Sequence, residues 1–271
     1  MISVNEIEVK DILTKSKLPD ADYVINPYTG CPHKCIYCYA EFMKRFTNHT
    51  ECWGDFVDVK NCNKKINAKK ISSKSVLIGS VTDAYNGFER KYEKTRNLLK
   101  QLAGTDTFVN ILTKSSLVCR DIDILKSLKQ IQVGISICTL EDELRKKIEP
   151  RASSISKRLE ALEQLSQVGI KTYVFVGPIF PGITSIEQIV DKTEPFADFF
   201  CFENLNLRGA YKKRVLEFVD TYYPEHSNLY KDIYVNKNNE YWEQKICEIE
   251  QIFQNRNKPY KNYFFHEQIK K

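Results

Sequence analysis

The sequence lacks the features that mark membrane-spanning and secreted proteins. No apolar run in its 271 residues approaches the roughly 20 residues that cross a lipid bilayer. The amino-terminal stretch lacks the basic-then-apolar order of a secretory signal peptide. These absences exclude an integral membrane protein from our expectations and predict a cytoplasmic protein without a membrane partner.

Internal repeats, low-complexity linkers and a second short-spaced cysteine motif are also missing. The length then favours one large α/β domain with at most a small appendage. Nine cysteines in a chain expected in the cytoplasm indicate metal ligands and reduced core thiols rather than disulfides. Since most of them are scattered, we expect one metal centre. The net charge of +6 is compatible with an anionic partner but does not identify one.

Three cysteines stand close together in the segment 26–40 with the spacing C-x3-C-x2-C, namely Cys31, Cys35 and Cys38. Closely spaced thiolates in one loop hold iron–sulfur clusters or zinc. A structural zinc site needs a fourth ligand, whereas a four-iron cluster on three thiolates leaves one iron open to a cofactor. The count of three therefore favours a 4Fe–4S cluster. Zinc with His33 or His49 as fourth ligand is the alternative, although no later C-x-x-C pair completes such a site.

Apolar runs alternate with helix-forming runs along most of the chain. Six predicted strands begin near residues 22, 75, 108, 133, 171 and 197. This alternation predicts a parallel sheet with right-handed crossovers. Because eight units usually close a barrel, six predict an α/β fold with an open, partial (β/α)6 barrel over residues 1–208. Residues 209–271 are rich in Tyr, Phe and Lys and predict a helical extension packed on the barrel.

Polar residues follow the predicted strands at the positions where a site is expected. Ligands of parallel sheets bind at the carboxyl ends of the strands. Strand side chains alternate between faces, so Ser136 and Cys138 should share one face. The candidate residues at these ends are Thr82 and Asp83 after the second strand, Lys114 after the third, Ser136 and Cys138 on the fourth, and Glu203 and Asn204 after the sixth.

The segment 26–40, read NPYTGCPHKCIYCYA, resembles the opening of the radical S-adenosylmethionine (SAM) superfamily. Together with residues 79–83, Tyr85, Glu89 and residues 148–152, it is similar to the branch related to spore photoproduct lyase. The resemblance runs over most of residues 22–206. It implies a partial barrel, one 4Fe–4S cluster, SAM as cofactor and a one-electron donor such as flavodoxin or ferredoxin.

The resemblance also implies roles for individual residues. The three cysteines of segment 26–40 would bind the cluster, whose open iron would take the amine and carboxylate of SAM. By position, Thr82 and Asp83 would face the amine and ribose, Lys114 the carboxylate, Ser136 the ribose, and Tyr37 the adenine. The implied reaction cleaves SAM reductively to methionine and a 5′-deoxyadenosyl radical, which abstracts a hydrogen atom from an unidentified substrate.

One position departs from the pattern of that branch. Spore photoproduct lyases carry a cysteine at the end of the second strand that returns a hydrogen atom to the product radical. This chain has Ser80 there, and an O–H bond is too strong to donate a hydrogen atom readily to a carbon radical. We therefore expect a different transformation. Cys138 is a candidate replacement donor or substrate contact, and its alternative role is that of a small buried hydrophobe.

The substrate side of the site is less defined. Arg151 could bind an anionic substrate group or pair with Glu149, and Glu203 and Asn204 could line the same side. The run Lys60–Lys74 has six lysines and no acid; it could face phosphates, or form a solvated helix face. Two other functions stay open, a glycyl-radical activase and an iron–sulfur or zinc nucleic-acid-binding module without catalysis.

Overall fold

The architecture is built on one large, mostly parallel sheet. The computed structural model describes residues 1–265. Its strands, in chain order, are β1 (Ser3–Glu8), β2 (Leu13–Lys15), β3 (Tyr23–Ile25), β4 (Tyr28–Thr29), β5 (Phe56–Asn61), β6 (Ser75–Ile78), β7 (Phe108–Thr113), β8 (Gln130–Ser136), β9 (Lys171–Ile179), β10 (Phe199–Asn204) and β11 (Tyr260–Asn262). Strands β3, β6, β7, β8, β9 and β10 lie side by side in chain order and pair in parallel. The six-stranded parallel arrangement expected from the sequence is confirmed.

Helical segments connect these strands. The α-helices are α1 (Ala68–Ile71), α2 (Glu89–Tyr92), α3 (Lys94–Leu102), α4 (Ile122–Leu125), α5 (Asp142–Ile148), α6 (Ile155–Gln167), α7 (Ile186–Thr193), α8 (Tyr211–Tyr222), α9 (Ser227–Tyr234) and α10 (Glu240–Phe253). Within residues 1–265, 3-10 helices span Tyr39–Phe46, Ser116–Asp121, Glu194–Phe196 and Pro224–His226. The longer helices pack against the rest of the fold through apolar residues at helical spacing, as in α6, where Leu162 and Leu165 are fully buried. Within the described part of the chain, no helix is both long and apolar enough to cross a membrane.

Two short strands extend the large sheet at its edges. Strand β2 pairs antiparallel with β3, and β11 pairs parallel with β10. The sequence predicted no strand before residue 22 and only a helical extension over residues 209–271, so both strands were missed. Three residues are too few to show a period-two pattern, and both strands are held by main-chain pairing with an existing edge. The carboxy-terminal part therefore contributes a strand as well as helices α8–α10.

A small second sheet braces the cysteine loop. Its order is β1-β5-β4, and β4 lies inside the segment 26–40. Gly30 follows β4 with a φ of +83°, and a Cβ there would lie 2.3 Å from the carbonyl oxygen of Phe56 in β5. Only glycine tolerates both the left-handed backbone and this close approach. The cysteine loop is thus pressed directly against β5.

Gly134 in β8 gives room to a large aromatic ring on the neighbouring strand. A Cβ at Gly134 would lie 2.1 Å from the Tyr173 ring, which stacks on Phe199. We expect Gly134→Ala to lower the free energy of unfolding by about 1–3 kcal/mol, the usual result of overpacking. Chemical denaturation measures the change. Gly87→Ala is the matched control, because a Cβ there meets nothing within 4 Å; equal losses in both variants would contradict the packing argument.

Candidate cluster and cofactor site

The three cysteines of the loop lie close together at the carboxyl end of β3. Cys31 and Cys35 are buried, and Cys38 is half-buried. Two tight turns shape the loop: the Lys34 N–H donates to the Cys31 carbonyl at 3.3 Å, and the Cys38 N–H to the Cys35 carbonyl at 3.2 Å. All three thiols are free. Burial is the main cause that raises the pKa of Cys35, and the neighbouring Cys38 and Cys31 sulfurs add to it, so the three sulfurs share one electrostatic environment.

N–H groups point at two of these sulfurs. The backbone N–H groups of Asp83 and His33 donate to Cys31, and Cys38 accepts from Trp53 Nε1 at 3.2 Å and from the backbone of Ala40. Such bonds stabilise negative sulfur and are a common feature of iron–sulfur sites. Burial still raises the pKa of Cys31 to about 12, so its proton would leave when a metal takes its place. The donor set fits an iron–sulfur cluster.

Carboxylates engage both ring nitrogens of His49, one of the two candidate fourth ligands for zinc, but only one ring nitrogen of His33. His33 Nδ1 faces Asp83 at 3.4 Å, and His49 is held between Glu51 at 3.0 Å and Asp58 at 2.8 Å. Across residues 1–265, no three His, Cys, Asp or Glu side chains converge to hold a metal ion. Thiolates around a four-iron cluster each bind a different iron and lie further apart than those around one zinc. The geometry therefore disfavours a mononuclear zinc site.

Glu149 joins two of the predicted site residues. The Tyr37 hydroxyl and the Cys138 thiol, the latter at 3.6 Å, donate to Oε1 of Glu149, and Arg158 donates to Oε2. Glu149 and Arg158 are both fully buried. Burial raises the pKa of Glu149, but Arg158 and Lys114 outweigh burial and hold the pKa below its ordinary value. A buried, ionised carboxylate therefore lies beside the tyrosine of the cysteine loop.

Arg158 received no role from the sequence, and Glu149 was predicted only as a possible partner of Arg151. A signal was present, because Arg158 shares the helical stripe Ile155, Leu162 and Leu165, an apolar face that normally excludes a charge. Arg158 also donates to the carbonyls of Ser136 at 3.0 Å and Ser153 at 3.0 Å. A cation on a buried stripe indicates a buried anion, but the stripe does not identify which one.

Lys114 lies next to the same carboxylate. Its Nζ sits 5.8 Å from the centre of the Tyr37 ring. Burial lowers the pKa of Lys114, but the opposing attraction of Glu149, helped by the Cys35 sulfur, is stronger and raises the pKa. The ammonium group therefore stays charged. The structure brings Lys114, Tyr37 and Cys138 together around Glu149, next to the cysteine loop.

Thr82 and Asp83 fasten the cysteine loop to the sheet. The Thr82 hydroxyl donates to the Gly30 carbonyl at 2.8 Å. Asp83 accepts hydrogen bonds from the Thr113 hydroxyl at 2.7 Å and from the backbone of Tyr85 and Lys114 at 2.9 and 2.8 Å. Both side chains are buried. Their predicted contacts with the amine and ribose of SAM stay predictions.

Ser136 and Cys138 do not lie on one strand. Strand β8 ends at Ser136, whereas the sequence predicted that it runs to Cys138. Alternation of side chains applies only within a strand. The prediction that Ser136 and Cys138 share one face of a strand is therefore wrong, because Cys138 lies beyond the end of β8. The Ser136 hydroxyl donates to the Gly177 carbonyl of β9 at 3.2 Å, while Cys138 reaches Glu149 beyond the strand end. Cys138 therefore joins the site through Glu149.

Arg151 pairs with Asp55 and not with Glu149, which the sequence offered as one of two alternatives. It donates to the Gly54 carbonyl at 2.8 Å and to Asp55 at 3.1 Å. The alternative of a pair with Glu149 is wrong, because Arg158 occupies that carboxylate. An exposed loop contact of this kind leaves no periodic trace in the sequence.

The remaining predicted positions lie at the ends of β6 and β10. Asn204 accepts from the Phe265 backbone at 3.0 Å and so anchors the carboxy-terminal segment, and Glu203 lies close enough to Tyr39 to raise its pKa after burial. The Ser80 hydroxyl accepts from Asn26 at 3.0 Å. The substrate roles of Arg151, Glu203 and Asn204 stay predictions.

Comparison with known proteins places the chain in a family. A family model described as the radical SAM superfamily matches residues 25–192. The chain therefore belongs to the radical SAM superfamily, as the cysteine motif predicted. An uncharacterised protein of Methanocaldococcus jannaschii is 40% identical over 225 residues, which cover 83% of this chain and 85% of that protein. A radical SAM Nα-GlyT isomerase of Pseudomonas phage M6 is 26% identical over 170 residues, which cover 60% of this chain and 34% of the isomerase.

Solved structures share the fold. Spore photoproduct lyase complexed with dinucleoside spore photoproduct matches with a TM-score of 0.69 and 18% identity, over 96% of this chain and 82% of that one. SuiB of Streptococcus suis bound to its precursor peptide SuiA matches with a TM-score of 0.51 and 19% identity, over 88% of this chain and 48% of that one. These matches confirm the partial barrel and the fold expected for the branch related to spore photoproduct lyase.

Proposed function

We propose that the chain binds one 4Fe–4S cluster through Cys31, Cys35 and Cys38 and cleaves SAM reductively. The observation that carries the proposal is the set of three neighbouring free thiols, two of them reached by N–H donors, at the carboxyl end of β3. When bound, such a cluster supplies the electron that splits SAM into methionine and a 5′-deoxyadenosyl radical, which takes a hydrogen atom from the substrate. An external donor such as flavodoxin or ferredoxin would provide that electron.

Side chains around Glu149 would bind and orient the cofactor. The charged Lys114 is placed to receive the carboxylate of SAM, because a carboxylate prefers a cation in a partly buried site. The Tyr37 ring offers an apolar face for the adenine, and its hydroxyl is fixed by Glu149. Ser136 would contact the ribose, and Thr82 and Asp83 the amine side. Phe180, which packs edge-on against Tyr37 at 5.6 Å, would exclude water.

Loss of the Lys114 cation should weaken cofactor binding. We expect Lys114→Met to raise the Kd for SAM by about 10- to 100-fold, the usual range for one hydrogen bond to a charged group. Equilibrium dialysis under anaerobic conditions, on protein with full iron content, measures the Kd. Lys129→Met is the matched control. This exposed lysine precedes the amino end of β8, whereas Lys114 follows the carboxyl end of the neighbouring strand β7. An unchanged Kd in Lys114→Met would remove the lysine from the site.

Cys138 is our candidate for the hydrogen-atom donor. Burial, reinforced by the negative charge of Glu149, raises the pKa of the Cys138 thiol, so the S–H bond that such a donor needs is kept at neutral pH. In an assay with a substrate that the parent protein converts, Cys138→Ala should form much less product than the parent while deoxyadenosine formation continues. Cys119→Ala, which removes a half-buried thiol bonded to the Ala161 carbonyl, is the control. Full product yield in Cys138→Ala would show that Cys138 is not the donor and serves only as a small buried side chain.

We propose nucleosides and oligonucleotides as the first substrate class to test. One protein of similar fold is complexed with a dinucleoside, and Arg151, Glu203 and Asn204 would contact such a substrate. The lysine run 60–74 starts in β5, where the Lys60 N–H donates to the Pro27 carbonyl of segment 26–40 at 3.1 Å, and it ends where β6 begins. Only the end of the run therefore lies away from the cysteine loop. A glycyl-radical activase would instead abstract hydrogen from a protein, and a binding module would cleave no SAM.

Product analysis tests the proposed function directly. Protein reconstituted anaerobically with iron and sulfide, reduced with dithionite and given SAM should release methionine and 5′-deoxyadenosine. Deuterium from a labelled oligonucleotide or protein, recovered in deoxyadenosine, would distinguish the two substrate classes. Protein that contains only zinc and leaves SAM intact would support the nucleic-acid-binding alternative.

A further inference from the structure

Trp53 is in contact with Cys38, the residue that precedes the 3-10 helix Tyr39–Phe46. Its indole Nε1–H donates to the Cys38 sulfur at 3.2 Å. The other N–H donors to the cysteine sulfurs of the loop, those of Asp83, His33 and Ala40, are backbone groups. A side-chain donor can be removed by substitution, whereas a backbone donor cannot. A substitution at Trp53 can therefore change the hydrogen bonding of the Cys38 sulfur while the backbone of the loop keeps its conformation.

The indole is held in one orientation by its neighbours. Trp53 is buried and packs edge-on against Phe56, with ring centres 5.6 Å apart and an interplanar angle of 85°. Phe56 in turn stacks on His49 at 3.9 Å, and the two carboxylates that flank His49 fix its ring. The N–H therefore cannot turn away from the sulfur without disturbing a packed row of three rings.

A hydrogen bond from a fixed N–H to a cluster sulfur favours the more negative redox state. Reduction adds one electron to the cluster and increases the negative charge on the coordinating sulfurs, so the donor stabilises the reduced form more than the oxidised form. Hydrogen bonds to sulfur are one of the means by which proteins set cluster potentials. We infer that Trp53 sets the reduction potential of the cluster through its bond to Cys38, an inference that rests on the cluster proposed above.

Removal of the N–H should shift the one-electron equilibrium toward the oxidised cluster. We expect Trp53→Phe to lower the equilibrium constant for reduction by about tenfold, which is about 59 mV for one electron. An anaerobic redox titration followed by electron paramagnetic resonance measures the midpoint, and iron and sulfide are counted for each variant. Trp242→Phe is the matched control, because it makes the same change at the other tryptophan of the chain, which packs edge-on against Tyr241 and Phe264, so its midpoint should stay near that of the parent.

A second perturbation leaves the indole in place. Fluorotryptophan has a more acidic N–H and, incorporated in a Trp242→Phe background, should raise the midpoint instead of lowering it. An unchanged midpoint in Trp53→Phe, or an equal shift in Trp242→Phe, would overturn the inference. If Trp53→Phe fails to retain its cluster, the direction of the fluorotryptophan shift decides. A parent protein without iron and sulfide would instead refute the proposed function itself.

Discussion

Alanine in place of Cys31, Cys35 or Cys38 is expected to abolish 5′-deoxyadenosine formation. Outer partners of metal ligands already change affinity or activity by about 10- to 100-fold, so loss of a ligand itself should exceed 100-fold. The physical reason is that each thiolate would bind a separate iron, and the neighbouring thiols cannot substitute from their own positions. Deoxyadenosine is measured by chromatography, and iron and sulfide are counted in the same samples.

The chain supplies its own controls for this experiment. Cys52 and Cys247 are exposed cysteines outside the loop, so Cys52→Ala and Cys247→Ala should keep both the iron content and the cleavage rate of the parent. Retained deoxyadenosine formation in any of the three loop variants would contradict the assignment of that cysteine. Equal loss in a loop variant and an exposed-site variant would point to general damage by cysteine loss.

The largest loss of stability is expected from Arg158→Met. Arg158 and Glu149 form an ion pair in which both side chains are fully buried. Removal of one partner from a buried pair typically costs about 3–5 kcal/mol, because the other charge is left without compensation. Chemical denaturation of the apoprotein measures the free energy of unfolding. A loss below about 1 kcal/mol would show that Glu149 gains its stabilisation elsewhere.

Two further variants distinguish the loss of the buried Arg158–Glu149 ion pair from the mere loss of a positive charge. Lys146→Ala breaks an exposed pair with Glu143 and should cost at most about 1 kcal/mol. Glu149→Gln in the Arg158→Met background removes the uncompensated anion and should recover part of the loss. The pKa of Glu149 is held below its ordinary value of 4.5. The stabilisation by the pair should therefore be present above that ordinary pKa and be lost as the pH falls through the lower pKa of the folded state.

Much of the fold followed from local patterns. Apolar runs long enough to show a pattern predicted the parallel strands and their order, because sequential βα units pack beside one another. The short-spaced cysteines predicted the loop at the carboxyl end of β3. By contrast, β2 and β11 are stabilised by pairing with a sheet edge, and three residues such as Tyr260–Asn262 carry too little pattern to show it.

The connections within the site were harder to predict than its members. The sequence identified Tyr37, Lys114 and Cys138, and the structure brings them around one carboxylate that received no cofactor role. Glu149 is separated from Tyr37 by 112 positions, and no local spacing reports such a distance. Trp53 received no role from the sequence, since its N–H bond to Cys38 depends on the orientation of a single ring. Side-chain partners across the fold require the structure.

Electron paramagnetic resonance decides whether the loop holds the proposed cluster, when spectra of the anaerobically purified, dithionite-reduced protein are recorded before and after addition of SAM. We expect the signal of one reduced 4Fe–4S cluster per chain, and a changed signal when SAM occupies the open iron beside Lys114. A protein without such a signal, or a signal that saturating SAM leaves unaltered, would contradict the proposed function.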